Sequence, residues 1–167
     1  ILSYDTIHSI SISNKINAVI IPSDSFRVEL NADENLHEHI LTEIYGNHLS
    51  VHSEKYIRMA KAKEVKIYTN CIYKIDASAG SNVYNIDTLN CDNIVIGASS
   101  AADVNIIGNF NQTDISGSSG CDLRLIGSTK HAMINLSSAA DLNAYDFIIQ
   151  DADVTVSSAA DARVYVE

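Results

Sequence analysis

The strongest constraint on the fold is an eight-residue block that recurs five times in the second half of the chain. The copies begin at Ile75, Ile96, Ile115, Ile134 and Val154, so their starts lie 21, 19, 19 and 20 residues apart. Each copy passes through small Ser, Ala or Gly residues to an Asp or Asn, and a short run with alternating apolar residues follows. Repeats of near-constant length indicate units that bury their apolar faces against one another.

The repeat predicts a right-handed parallel β-helix, or solenoid, with about 20 residues in each coil. Each copy contains two strand-like runs and no helical periodicity between them. We expect two inward stacks of apolar residues, with neighbours about 4.8 Å apart. A meander of β-hairpins is the competing fold, but hairpins favour Asn-Gly or Gly-Asn loops and these corners are rich in Ser and Ala. The first stack comprises Ile75, Ile96, Ile115, Ile134 and Val154, and the second comprises Val83, Val104, Leu123, Leu142 and Ala162.

Residues 1–70 do not carry the repeat and are predicted to form an N-terminal β-strand cap region in front of the solenoid at 71–167. A cap is expected because an open coil end would expose a row of unpaired N–H and C=O groups. The polar segment Asp33–His39 is expected to be a connection or a strand edge. The predicted strands of this region are Ile7–Ile12, Ala18–Ile21, Phe26–Leu30, Ile40–Ile44, His48–His52 and Val65–Thr69.

The composition agrees with an all-β chain and excludes two classes of binding partner. The 167 residues include 46% hydrophobic residues and a single proline, and 11 Lys and Arg against 21 Asp and Glu give a net charge of −10. Nucleic acids and anionic membrane surfaces select basic patches, so neither is expected as the main partner. The longest apolar runs, such as 18–21, are too short to span a bilayer, and no membrane insertion is expected.

An acidic residue ends four of the five blocks, at Asp103, Asp122, Asp141 and Asp161, and Asn82 takes that position in the first block. Stacked coils would place neighbouring carboxylates about 5 Å apart. Such a ladder could bind calcium or supply paired carboxylates for glycoside cleavage. Alternatively, each Asp accepts hydrogen bonds from N–H groups of its own turn. Asn82 has the same shape without the charge, which favours the structural role, so no cofactor is expected.

Arg124 and Arg163 lie two residues after Asp122 and Asp161, on the same outward strand face. A polysaccharide lyase would need acids, a metal and a basic residue on one coil. The equivalent positions in other copies are Asn105 and Asn143, so surface ion pairing is favoured and no catalytic residues are predicted. Exposed tyrosines, such as Tyr84, Tyr145 and Tyr165, could stack on sugars or pack at the edge of the core.

The chain has three cysteines, and Cys71 and Cys91 lie 20 residues apart, close to one coil length. Stacking would bring their Cα atoms within the range of a disulfide bond. The alternative is an offset of one residue, since Ser78 and Ser99 indicate a local coil of 21 residues. Cys121 occupies a small-residue position of the block and is expected to be buried.

These features resemble the head GIN domain family of autotransporter adhesins, a domain of unknown function from Bacteroidetes-type bacteria. The resemblance rests on the strands around 7–22, on the segment Asn47–His52 and on the repeated blocks. Alanine stands at positions 101, 139 and 159, where the family often has glycine. The resemblance implies a β-helical, extracytoplasmic protein, whether periplasmic, on the outer-membrane surface or secreted.

The resemblance also implies a function, namely non-enzymatic, adhesin-like binding of a glycan or a surface protein through the outer solenoid face. It brings no catalytic residues and no cofactor. Two alternatives stay open: a carbohydrate-active enzyme of the lyase or glycosidase type on a β-helix, and a structural spacer. The near-identical copies favour a binding module, because an enzyme needs one coil that differs from the others.

Overall fold

The computed structural model describes residues 7–55 and 63–167, and the regular structure of these residues is built from β-strands and one short 3-10 helix at Glu34–Leu36. The helix lies in the segment expected to be a connection or a strand edge. The strands are β1 (Ser9–Ile12), β2 (Asn17–Pro22), β3 (Arg27–Ala32), β4 (Ile40–Tyr45), β5 (His48–Ser53), β6 (Lys63–Thr69), β7 (Lys74–Ala77), β8 (Asn82–Asn85), β9 (Leu89–Asn90), β10 (Asn93–Ala98), β11 (Asp103–Gly117), β12 (Asp122–Leu136), β13 (Asp141–Val156) and β14 (Asp161–Val166).

The strands stack in parallel along two sides of a coil, which confirms the predicted parallel β-solenoid. Side 1 contains β5, β1, β7, β10 and the C-terminal halves of β11, β12 and β13. Side 2 contains β6, β2, β8, the N-terminal halves of β11, β12 and β13, and β14. The long strands run along side 2 and continue onto side 1, and the Ser-rich corner then returns the chain to side 2.

Both predicted inward stacks are present in register. Ile75 pairs with Ile96, and the stack continues through the equivalent isoleucines to Val154. The four isoleucines are fully buried, whereas Val154 is 39% exposed, since among the described residues it pairs on one side only, with Ile134. The second stack runs from Val83 to Ala162 on side 2. Burial of a side chain of this size contributes about 1.5–3 kcal/mol, so each buried residue of these stacks stabilises the fold appreciably.

Each corner turns through two successive residues with positive φ. Ser100 and Ala101 have φ of 53° and 59°, and the same pair of conformations recurs at Ser138 and Ala139. The corners also hydrogen-bond to the neighbouring coil, as Ala101 N donates to Ser119 O at 3.1 Å. Two positive-φ residues define the type I′ geometry that hairpins use. Here that geometry joins the two sides of one coil, and each corner rests on the next.

The N-terminal part of the chain both lengthens the stack and closes its edge. Strands β1 and β2 insert between the β5–β6 coil and the β7–β8 coil, so the order of coils in space differs from their order in sequence. Strand β3 pairs antiparallel with β6, and β4 pairs antiparallel with β5. These two antiparallel strands cover the N-terminal edges of both sides. The division into 1–70 and 71–167 as separate regions stays a prediction.

The side chain of Asn85 extends the ladder where β8 ends. Its amide oxygen accepts a hydrogen bond from Ile107 N at 2.8 Å, and its amide nitrogen donates to Ile107 O at 2.7 Å. One buried side chain thus replaces a backbone partner for both polar groups of Ile107. Nearby, Gly127 has φ of 126°, and a Cβ there would overlap the carbonyl oxygen of Gly108. The coils therefore meet backbone to backbone at this glycine pair.

Candidate functional site

The outer surface of side 2 carries two rows of side chains that run parallel to the solenoid axis. Successive coils place equivalent residues about 4.8 Å apart, and strand alternation points both rows away from the core. The acidic row contains Glu64, Asn17, Asn82, Asp103, Asp122, Asp141 and Asp161, and the middle row contains Lys66, Val19, Tyr84, Asn105, Arg124, Asn143 and Arg163.

The acidic row brings the four predicted aspartates and Asn82 together in one line. Burial raises the pKa of the Asp103 carboxyl above its ordinary value, and the charge and hydrogen bonding of Asp122 raise it further. Both effects favour the protonated form, because a stacked neighbour of like charge opposes ionisation. Asp103 and Asp122 are therefore neighbouring carboxylates that repel each other when both are charged.

The aspartates do not cap their turns, contrary to the interpretation favoured from the sequence. Among the residues that the structure describes, no turn N–H donates a hydrogen bond to the carboxylates of the row. The corner N–H groups donate to backbone carbonyl groups instead, either of the neighbouring coil or, as Ala102 N does to Ser99 O, of the same corner. Each Asp points outward as the first residue of its strand. At the first corner it is the Ser81 hydroxyl that accepts a bond from Ser78 N and donates to Ile12 O.

The calcium ladder at Asp103, Asp122, Asp141 and Asp161 stays a prediction. Across residues 7–55 and 63–167, no three His, Cys, Asp or Glu side chains converge into a cation site. The row is straight, whereas calcium takes six to eight oxygen ligands that surround it.

A hollow opens where Asn105 separates two longer side chains of the middle row. Tyr84 and Arg124 flank Asn105 in register, and the cavity between them has a volume of about 400 Å³. We call it the Asn105 hollow, and the residues that define it are Asn82, Tyr84, Asn105, Ile107, Arg124 and Ile126.

Two groups on the rim of this hollow are already oriented by neighbours. The Tyr84 hydroxyl donates a hydrogen bond to Glu64 at 3.2 Å. Burial, followed by the charge of Glu64, raises the pKa of Tyr84, so its hydroxyl stays protonated at neutral pH. The guanidinium of Arg124 lies 3.8 Å from the carboxylate of Asp146. The rim is thus held in place while its outer surface remains open.

The predicted surface ion pairs of the two arginines have different partners. Arg163 lies 3.7 Å from Asp161, two residues earlier on the same strand. Arg124 pairs with Asp146 of the next coil rather than with Asp122. Both pairs are exposed, so each contributes at most about 1 kcal/mol. The two arginines also lie on different coils, so the structure does not combine their side chains in one site.

Sequence reasoning missed the apolar side of the hollow and the partner of Arg124. Ile107 and Ile126 pair across adjacent strands with both side chains half-buried on the outer surface. Asp146 lies within the register shift between β12 and β13. A strict two-residue alternation does not reveal a bulge. The adjacent isoleucines 106 and 107 were the one available signal that a strand has an apolar residue on each face.

Side 1 carries a second groove beside the corners, with a volume of about 540 Å³. It is lined by short polar and apolar side chains, including the corner serines Ser99, Ser118 and Ser137. It has no cationic residue and no aromatic ring, so it offers fewer distinct contacts than the Asn105 hollow.

The cysteines and tyrosines occupy separate positions. The sulfurs of Cys71 and Cys91 are bonded, with their Cα atoms 5.8 Å apart. Cys121 is a buried free thiol, and burial is the main cause that raises its pKa. Tyr145 and Tyr165 are exposed, with ring centroids 6.1 Å apart.

A capped parallel β-solenoid with continuous outward rows is the class of protein that this geometry defines. The chain belongs to the family described as "Putative auto-transporter adhesin, head GIN domain", which matches residues 6–167. That family was the one indicated by the repeated blocks. No curated protein matches the chain. Among the residues that the structure describes, none forms a helix with the length and apolarity needed to cross a bilayer.

Solved structures share the fold at low sequence identity. A "putative adhesin" from Bacteroides fragilis has a TM-score of 0.88 and 15% identity, over 96% of this chain and 76% of that one. A "putative adhesin" from Parabacteroides merdae has a TM-score of 0.82 and 16% identity, over 98% and 78%. A "putative lipid binding protein" from Parabacteroides distasonis has a TM-score of 0.75 and 15% identity, over 96% and 78%.

Proposed function

We propose that this chain is a non-enzymatic, adhesin-like binding module that acts outside the cytoplasm, in the periplasm, on the outer-membrane surface or as a secreted protein. Its ligand is a glycan or a surface protein, and the binding surface is the outer face of side 2. The observation that carries the proposal is the acidic row, which presents a carboxylate on four successive coils at intervals of about 4.8 Å, beside the more varied middle row. A surface of this kind suits an extended or repetitive ligand.

The same regularity argues against catalysis. A glycosidase or lyase needs an acid, a base and the substrate positioned on one coil that differs from its neighbours. The acidic row instead presents equivalent carboxylates on four successive coils. Family membership supports this proposal, since the family description names an adhesin.

A face-blocking experiment tests the proposal without knowledge of the ligand. Asn143 on side 2 and Asn135 on side 1 are both exposed asparagines in neighbouring strands. Asn143→Cys and Asn135→Cys are each coupled to a maleimide-activated polyethylene glycol chain, with buried Cys121 replaced by Ala in both. Beads coated with each protein are then applied to films of mucin and of deglycosylated mucin.

We expect the unblocked protein to adhere, the side 2 conjugate to lose adhesion and the side 1 conjugate to retain it. Loss of adhesion with the side 1 conjugate alone would place the binding surface on side 1. Failure of the unblocked beads to adhere to either film would favour a spacer. A parallel assay for reducing-sugar release from the glycosylated film tests for the enzyme, and release of sugar would overturn the proposal. Lipid vesicles form a third surface, and adhesion there alone would indicate a lipid ligand.

A further inference from the structure

We propose that the Asn105 hollow binds a neutral saccharide, which rests on the proposed function of side 2 and names its ligand class. The first argument is shape. Asn105 has a short side chain and lies between the longer Tyr84 and Arg124 of the adjacent coils. The surface of the middle row is therefore recessed at Asn105. The resulting volume of about 400 Å³ is within the range of small-molecule sites, about 300–1,000 Å³.

The second argument is the chemistry of the walls. Ile107 and Ile126 supply an apolar wall whose side chains are half-buried already. Burial of further apolar surface there is favourable by about 25 cal/mol per Å². The Asn105 amide both donates and accepts hydrogen bonds, and the Arg124 guanidinium donates them. The Tyr84 oxygen can still accept, because its proton goes to Glu64. A pyranose ring has both a C–H face and hydroxyl groups, and it therefore matches both walls.

The third argument is charge. The acidic row runs beside the hollow at Asp103 and Asp122, and it repels an anionic ligand. Arg124 offers little compensation, because Asp146 lies 3.8 Å from its guanidinium. Each exposed pair of charges at about 5 Å interacts by only about 0.8 kcal/mol in water, so the row disfavours an anion mildly and favours a cation by no more than that. Hydroxyl groups can donate to the carboxylates and accept from the guanidinium, which a ligand of one charge cannot do.

Asn143, the next short side chain in the middle row, provides a matched control position. Asn143 lies between Arg124 and Arg163, as Asn105 lies between Tyr84 and Arg124. However, the Asn143 amide oxygen already accepts a hydrogen bond from Tyr145 N at 3.3 Å. It also lies beside the register shift of β13, where no second isoleucine pair continues the apolar wall. Both asparagines are exposed, so the same substitution at each should be equally tolerated.

The test measures binding of the full chain and of Asn105→Trp and Asn143→Trp to immobilised galactan and mannan. Polygalacturonate and polylysine serve as anionic and cationic probes. We expect wild-type binding to a neutral polysaccharide that is insensitive to added NaCl, since no ion pair is formed. Asn105→Trp fills the hollow and should weaken this binding at least about tenfold, which corresponds to 1.4 kcal/mol. Asn143→Trp should change it less than about twofold. Circular dichroism melts check the folding of each variant, and Asn105→Arg is the second filling variant if the first is destabilised.

The outcomes separate this proposal from the one on which it rests. Binding only to polygalacturonate or polylysine, lost at high salt, would overturn a neutral ligand but leave side 2 as a binding face. Equal losses in the Asn105→Trp and Asn143→Trp proteins would place the saccharide outside the hollow. Adhesion to deglycosylated mucin without any polysaccharide binding would identify a protein ligand and overturn only the saccharide. Failure in both experiments would overturn both proposals.

Discussion

At the scale of single residues, the corners hold L-amino acids in a conformation that glycine adopts at lower cost. Ala101, Ala139 and Ala159 have φ between 59° and 61°. Gly80 and Gly120 occupy the same position in the other repeat corners, each with φ of 69°. The left-handed conformation costs an L-residue about 1–2 kcal/mol. The corners tolerate this cost because each one is hydrogen-bonded to the next coil.

Replacement of Ala139 by glycine should therefore stabilise the protein. We expect Ala139→Gly to raise the free energy of unfolding by about 1 kcal/mol, since relief of backbone strain exceeds the added entropy of the unfolded chain. Urea denaturation followed by circular dichroism measures the change. Ala140→Gly is the control, because Ala140 is buried and has no positive φ, so that variant should be less stable. Equal destabilisation of both variants would contradict the argument.

Repulsion within the acidic row gives a second prediction at this scale. The pKa of Asp103 is higher in the folded protein than in the unfolded chain. The folded state therefore binds the proton more tightly, and the stability that this proton adds is present at low pH and lost as the pH rises through the folded pKa. At neutral pH the charged carboxylate is destabilising relative to a neutral side chain.

We accordingly expect Asp103→Asn to raise the midpoint of thermal unfolding at pH 7, with the gain shrinking toward pH 3. The variant places an uncharged amide at position 103, as Asn82 already does at the equivalent position of the preceding coil. Asp24→Asn, at an exposed bend outside the row, should show no such pH-dependent gain. A gain for Asp103→Asn that is the same at both pH values would point to a cause other than charge. Added calcium provides a further check, because a midpoint that rises with calcium in the wild type alone would support the calcium ladder.

At the scale of elements, the sequence predicts which residues face inward far better than which strands are neighbours. The predicted strands Ala18–Ile21 and Val65–Thr69 lie within β2 and β6, because alternation of apolar residues reports the face of a strand. Alternation carries no information about pairing order. The insertion of β1 and β2 between later coils was therefore not predictable. The Asn105 hollow was hidden for a related reason, since its depth depends on side-chain lengths in three different coils.

The side-chain bridge of Asn85 leads to a prediction for one element junction. Asn85→Leu should lower the free energy of unfolding by about 2–4 kcal/mol, since it leaves the N–H and C=O groups of Ile107 without their partners. Exposed Asn105→Leu, on the adjacent strand, should change stability by less than about 0.5 kcal/mol. Urea denaturation compares the two variants. A small effect at Asn85 would mean that water replaces both hydrogen bonds.

At the scale of the whole molecule, stability passes from coil to coil through nearest neighbours. The N-terminal edges of both sides end in the antiparallel strands β3 and β4, which pair with the edges of β6 and β5 that a further parallel coil would use. Between that closed edge and the regular coils of 103–167, the β7–β8 coil has short strands and few inward residues. The Cys71–Cys91 bond lies in this region and joins it to the following coil. A covalent link is most useful where the noncovalent stack is weakest.

Removal of that bond should therefore weaken the whole molecule rather than one coil. We expect the Cys71→Ser, Cys91→Ser double variant to lose about 2–4 kcal/mol of unfolding free energy, because a closed loop of about 20 residues constrains the unfolded chain. Cys121→Ala, which places the alanine of other copies at a buried position, should retain the bond and most of the stability. Mass analysis after alkylation under denaturing, non-reducing conditions tests the pairing directly. Modification of Cys121 alone is expected, and labelling of all three cysteines would show that Cys71 and Cys91 are not paired.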